Sequence, residues 1–191
     1  MPRHAPKALD PRAKLRYLRA VEACLSPRDR AIALLPLFAG TRIAEISALD
    51  VADVRLSARK GEVHLVGKGE KSRSVPVHPK LREAMAAWLD QRTSRPGADS
   101  AALFTSGRGT RMTTDALADV IDRITAAADL DDEVTSHRLR HTFGTELTRS
   151  GVDIVTVAEL MGHASLETTR LYTRPSAEDM QRAVDLLTAD D

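Results

Sequence analysis

Six side chains of the types that cleave a phosphodiester occur in order along the chain: Arg42, Lys68, His137, Arg140, His163 and Tyr172. A phenol can attack phosphorus, guanidiniums match and neutralise phosphate oxygens, an ammonium can protonate a departing alkoxide, and imidazoles move protons near neutral pH. The middle pair lies in His137-Arg-Leu-Arg140-His141, and the last pair stands nine residues apart in Leu160-Met-Gly-His163-Ala-Ser-Leu-Glu-Thr-Thr-Arg-Leu-Tyr172. A phenol with its ordinary pKa of about 10 is a poor nucleophile at pH 7, so Tyr172 needs cationic surroundings or a base. The competing tyrosine is Tyr17, which has no comparable cluster around it in sequence.

Two other chemistries are argued against by spacing. Gly67-Lys68-Gly69 is not a nucleotide-binding P-loop, because Gly61 lies one residue too far back and a glycine rather than Ser or Thr follows the lysine. His137 and His141 are four apart, as helical zinc ligands are, but the glutamate that follows the first histidine in zinc proteases is here Arg138, with a second cation at Arg140. Adjacent guanidiniums repel a metal ion, so no metal site and no cofactor is expected.

The elements that must position these residues can be read from period and punctuation. Asp10-Pro11 and Ser26-Pro27 each predict an N-cap followed by a first-turn proline. The first helix carries Leu15, Leu18, Val21 and Leu25; the second, more apolar, runs through Ile32, Leu34, Leu35, Leu37 and Phe38 towards Gly40. Pro36 predicts a kink or early stop in the second helix. A short helix then carries Arg42, Glu45 and Leu49, with Glu45 one turn from Arg42 and placed to orient it; backbone N–H groups at that helix start are expected to assist an anion.

From Val51 to His78 the period changes to two, with Val54 and Leu56, Val63 and Leu65, and Val75 and Val77 alternating with polar residues. This predicts a three-stranded antiparallel sheet whose second hairpin holds Lys68. Helices resume from about Pro79 to Arg92, through Leu117 to Ile124, through the His137 segment with Leu139, Phe143 and Leu147 on its apolar face, and from about Asp153 to Met161. His137, Arg140 and His141 then share roughly one helix face. Tyr172 is placed near the end of a short helix, and Ser176-Ala-Glu-Asp179 resembles a capping box opening a last one.

Composition bounds the setting. The chain has 191 residues, 42% of them hydrophobic, enough for one sizeable core. Its net charge is +1, from 28 Lys and Arg against 27 Asp and Glu, so any face for a polyanion must be local. Residues 1–30 lean basic and the stretch from Ser176 leans acidic. With Cys24 as the sole cysteine, no signal-like start and no run of membrane-span length, the expected location is the cytoplasm, without a membrane partner.

Ala39-Gly-Thr-Arg42-Ile-Ala-Glu45-Ile, Gly67-Lys68-Gly69-Glu-Lys71-Ser-Arg-Ser-Val-Pro, His137-Arg-Leu-Arg140-His141-Thr-Phe and Leu160-Met-Gly-His163 through Tyr172-Thr together resemble the catalytic domain of tyrosine recombinases, or phage integrases. The resemblance runs roughly from Ser26 to Thr173. It implies an α+β, mainly helical domain with a small three-stranded antiparallel sheet. It also implies DNA cleavage through a 3′-phosphotyrosine at Tyr172, no cofactor, and partners that are double-stranded DNA and further protomers, tetrameric on DNA and monomeric when free. By the same resemblance Arg42 and Arg140 hold the non-bridging phosphate oxygens, Lys68 is the general acid for the 5′ oxygen, His137 and His163 act as proton-transfer or hydrogen-bonding partners, and Glu45 and His141 support them. Lys71, Arg73, Arg108, Arg111 and Arg138 are further DNA-backbone candidates by charge alone.

The expected organisation is a basic segment and first helix over residues 1–25, a catalytic core over 26–175, and a C-terminal helix with an acidic tail over 176–191. The separate helical domain that such enzymes place before the catalytic one, to clamp the far side of the DNA, does not fit within residues 1–25. Two readings from other classes stand beside the recombinase: a type IB topoisomerase-like relaxing enzyme with the same chemistry but no strand exchange, and a DNA-binding regulator that has lost cleavage.

Overall fold

A computed structural model of the chain describes residues 8–67, 72–130 and 134–162. Lys68, Lys71, His163, Tyr172 and the predicted last helix from Ser176 lie outside the described residues. The elements run α1 (Pro11–Ala23), α2 (Pro27–Ala39), α3 (Ile43–Ala48), a 3-10 turn (Val51–Asp53), β1 (Val54–Leu56), β2 (Gly61–Val66), β3 (Ser72–Pro76), α4 (Pro79–Arg92), α5 (Thr114–Ala127), α6 (Ser136–Arg149) and α7 (Ile154–Met161). The architecture is therefore mainly α with one small sheet, as the sequence periods predict.

Helix α2 is the centre, packed on by α1, α4, α5 and α6. Ser26 caps it by accepting from the Asp29 N–H at 3.2 Å, and Pro27 sits in its first turn. It runs through Pro36 to Ala39, which corrects the expected early stop. An interior proline costs a helix roughly 3 kcal/mol. Burying Ile32, Leu34, Leu35 and Leu37, each at most 4% exposed, returns about 1.5–3 kcal/mol apiece, so packing outweighs the local defect. The helix stops at Gly40, whose φ of 59° turns the chain left-handed. From there Thr41 is buried and Arg42 emerges as the N-cap of α3.

The sheet has order β1-β2-β3 with antiparallel pairing throughout. Val54 pairs with Val63, Val63 with Val75, and Leu65 with Arg73. Val63, Leu65 and Val75 are buried, so this face lies on the helices, while Glu62, His64 and Val66 are exposed. Residues paired directly across two strands share a face, so Arg73 points inward with Leu65.

Helix α1 joins the same core through Tyr17 and Val21, with Leu9 just ahead of it. Tyr17 is fully buried, and its hydroxyl donates to the Ala33 carbonyl of α2 at 3.1 Å. Burial moves its phenol pKa upward, away from ionisation.

Gly40 is the tightest joint in this arrangement: a Cβ there would lie 2.6 Å from the Phe143 ring of α6. Gly40→Ala combines left-handed strain of roughly 1–2 kcal/mol with overpacking of about 1–3 kcal/mol. It should lower the denaturation midpoint accordingly, and a variant with unchanged stability in urea would refute this account of the α2–α6 contact.

Candidate active site

The centre of the site is a carboxylate. Glu45 occupies the third position of α3, and its side chain, 4% exposed, reaches back to accept from the Arg42 backbone N–H at 2.8 Å. That N–H is thereby consumed, so the helix start does not offer it to an anion, contrary to the sequence expectation. The same carboxylate accepts from Arg42 Nη1 at 2.9 Å through Oε1. Arg73 Nη1 and Nη2 reach Oε1 and Oε2, both at 2.9 Å, as a two-pronged fork. Arg140 Nη1 stands 4.0 Å from Oε2. One carboxylate is thus enclosed by three guanidiniums. Burial alone would push its pKa up, but hydrogen bonds from Arg73 and the Arg42 backbone, with the charges of Arg73 and Arg140, hold it below the usual carboxylate value.

The same three arginines also close the end of α7. The last carbonyls of a helix have no partner within it and carry the negative end of its dipole. Arg73 Nε donates to the Leu160 carbonyl at 2.9 Å, Arg140 Nη2 to Met161 at 2.5 Å, and Arg42 Nη2 to Gly162 at 3.3 Å. Arg140 Nη1 also donates to the Gly40 carbonyl, tying the end of α2 to the end of α7. Gly162 takes φ 59° and is followed in sequence by His163. The turn into the fifth predicted site residue is therefore anchored by the cationic cluster itself.

Exposure separates the three cations. The Arg42 side chain is 42% exposed, Arg73 is 7% exposed and Arg140 is 3% exposed. Arg42 is the guanidinium most open to solvent, while Arg140 is nearly sealed behind it. His137, exposed at the start of α6, lies close enough to both for their charges to act on it. Its pKa is lowered first by partial burial, then by Arg140 and Arg42, so its imidazole is neutral at pH 7 and able to accept a proton. His141, one turn further on, is lowered by burial and by His137. Arg42, His137, Arg140, Glu45 and His141 thus come together from α3 and α6, far apart in sequence.

The DNA-backbone candidates fare differently. Arg73 is corrected: with its guanidinium buried and three of its nitrogens donating to Glu45 and Leu160, it is part of the site's frame and not a DNA-facing cation. Arg111 donates to the Ser47 and Leu49 carbonyls, each at 2.9 Å, and pairs with Asp50, bracing the end of α3. Arg108 is exposed in the turn between Ser106 and Thr110, whose hydroxyls lie 3.0 Å apart. Arg138 is half-buried in the first turn of α6, where its N–H donates to the capping Thr135. Arg73 was misread from charge, although the period-two pattern with Val75 and Val77 put it on the inward face.

A model of the phage integrase family matches residues 8–179. The tyrosine recombinase XerC of Chromohalobacter salexigens is 37% identical over 186 residues, covering 96% of this chain and 61% of its own length. That of Myxococcus xanthus is 38% identical over 170 residues, covering 86% and 56%. The chain spans about three fifths of the length of these curated relatives. Among solved structures, the XerH site-specific recombinase bound to its difH substrate before cleavage matches with a TM-score of 0.83 at 27% identity, over 97% of this chain and 56% of that one. The XerA recombinase matches with a TM-score of 0.80 at 30% identity, over 96% and 66%.

Removing the charge of Glu45 leaves two nearly buried guanidiniums without their counter-ion. Glu45→Gln should cost about 3–5 kcal/mol of unfolding free energy by chemical denaturation, and a loss under 1 kcal/mol would contradict the enclosure described. The histidines add a pH dependence. The pKa values of His78, His137 and His141 are lowered in the fold, mainly by burial, so just below the ordinary value of 6.5 the unfolded chain binds more protons. Stability should therefore be full above about pH 7 and fall as the pH drops through the sixes, read as a lower melting temperature at pH 5.5 than at pH 7.5.

Proposed function

Since this chain belongs to the phage integrase family, we propose that it is the catalytic domain of a site-specific tyrosine recombinase that cuts and rejoins double-stranded DNA through a covalent 3′-phosphotyrosine at Tyr172. The observation that carries this reading is the convergence of Arg42 and Arg140 on the end of α7, with the neutral His137 within reach of their charges; from there the chain leads into His163 and on to Tyr172.

The chemistry follows from the groups. Arg42 and Arg140 offset the negative charge that builds on the non-bridging oxygens as phosphorus becomes five-coordinate. The Tyr172 oxygen forms a bond to phosphorus while the bond to the 5′ oxygen breaks. His137, neutral at pH 7, takes up the phenolic proton, and Lys68 donates one to the departing 5′-hydroxyl. His163 braces the phosphate or the tyrosine. A 5′-hydroxyl from another strand reverses the sequence, so one phosphodiester is exchanged for another and no nucleotide has to be hydrolysed. Residues 26–175 form the catalytic core in this reading, and exchange requires further protomers assembled on DNA. A cytoplasmic location fits a DNA-acting chain; among the described residues no helix is long and apolar enough to cross a membrane.

The names of the relatives favour a recombinase over a relaxing enzyme or a regulator without cleavage. With a net charge of only +1, binding by this chain alone rests on a local cationic face and should weaken steeply with salt. A nanomolar, salt-insensitive binding curve would contradict that.

Nicked suicide duplexes trap the covalent intermediate. Tyr172→Phe should abolish the denaturant-resistant adduct. Tyr17→Phe should retain it, at a cost of about 1 kcal/mol for the lost hydroxyl contact with Ala33. An adduct that persists in Tyr172→Phe would overturn the nucleophile assignment.

A further inference from the structure

Arg73 stands outside the reacting set, yet it touches two structures on which that set depends. Its fork spans both oxygens of Glu45 at 2.9 Å, and its Nε holds the Leu160 carbonyl at 2.9 Å. It lies against the left-handed turn at Gly162, where a Cβ would be 2.5 Å from Arg73 Nη1. It projects from β3, which begins four residues after Lys68 in sequence.

On the reading under Proposed function, we propose that Arg73 is a positioning residue of the cleavage reaction: it fills the positions on Glu45 that Arg42 leaves open, so that the carboxylate does not draw Arg140 away from the phosphate, and it docks the turn leading into His163. Glu45 carries one negative charge among three guanidiniums. With Arg73 in place, its two oxygens already accept from a planar fork, and Arg140 stays 4.0 Å away. Arg42 already pairs with Glu45 at 2.9 Å, so without Arg73 the cation left to satisfy the buried carboxylate is Arg140, which is assigned to the scissile phosphate. It would trade positive potential at the phosphate for a tighter internal pair. The end of α7 would lose one of its three cationic ties at the same time.

Arg73→Gln, Arg73→Lys and the double change Arg73→Gln with Glu45→Gln test this in the full chain. The measurements are single-turnover adduct formation on suicide duplexes with randomised arms, DNA affinity, and the NMR titration of the His137 ring. Arg73→Gln should slow adduct formation by roughly 30-fold or more while affinity changes less than about threefold, the pattern of a misplaced reacting group. Arg73→Lys should stay slow, because one ammonium cannot span both Glu45 oxygens and the Leu160 carbonyl. Adding Glu45→Gln to Arg73→Gln should restore about tenfold of the rate, since the carboxylate that captures Arg140 is gone. A purely structural role would give a double variant no better than the single one. If Arg73→Gln fails to fold, the double variant, which removes one charge of each sign, and Arg73→Lys carry the comparison. The His137 midpoint should rise in Arg73→Gln as Arg140 turns to Glu45. Wild-type rate in Arg73→Gln, a double variant without recovery, or an unmoved His137 midpoint overturns the proposal. Failure of the unsubstituted chain to form any adduct would instead sink the recombinase reading, and the His137 titration still decides the role of Arg73.

Discussion

The carboxylate of Glu45, closed in by Arg42, Arg73 and Arg140, is the interaction on which the site depends. A buried carboxylate needs partners, and buried guanidiniums need a counter-charge. Four charges from α3, β3 and α6 satisfy one another only if the three elements meet at that point. The cluster has an excess of two positive charges, part of which spills onto the C-terminal carbonyls of α7. Framing the cations and anchoring the turn at Gly162 are therefore one arrangement.

Local charge, and not the protein's total, sets the character of this site. The chain is close to neutral, yet His137 lies under the influence of two guanidiniums and loses its proton more readily than a free imidazole. A neutral imidazole beside an exposed Arg42 is suited to move a proton where negative charge develops. Tyr17, by contrast, is sealed in the helical core with its hydroxyl bound to α2, so chemistry at that phenol is closed off.

Much of the frame was legible. The Asp10-Pro11 and Ser26-Pro27 starts, the three strands and the face shared by His137, Arg140 and His141 follow from local geometry that neighbouring residues set between themselves. Two readings failed for a common reason. Pro36 predicts a break when only its own ring and missing N–H are weighed, but four large apolar neighbours inside the α2 packing outweigh it. Arg73 suggests a solvent-facing cation from its charge, although its parity with Val75 and Val77 places it inward. The pattern carried the information, and the residue type concealed it.

Residue types, their order and the helix and strand periods are set by the chain itself, because they depend on spacing along one element. Those properties determined which residue types suited to phosphodiester chemistry occur in which order, and which family the chain resembles. What separates Arg42, Arg73 and Arg140 was decided by tertiary structure alone. All three are permanently charged, but one is open to solvent and two are nearly sealed, because Glu45 meets Arg73 from 28 residues away and Arg42 meets Gly162 from 120. Burial and counter-charge are properties of the packed assembly, and no spacing within a single segment encodes them.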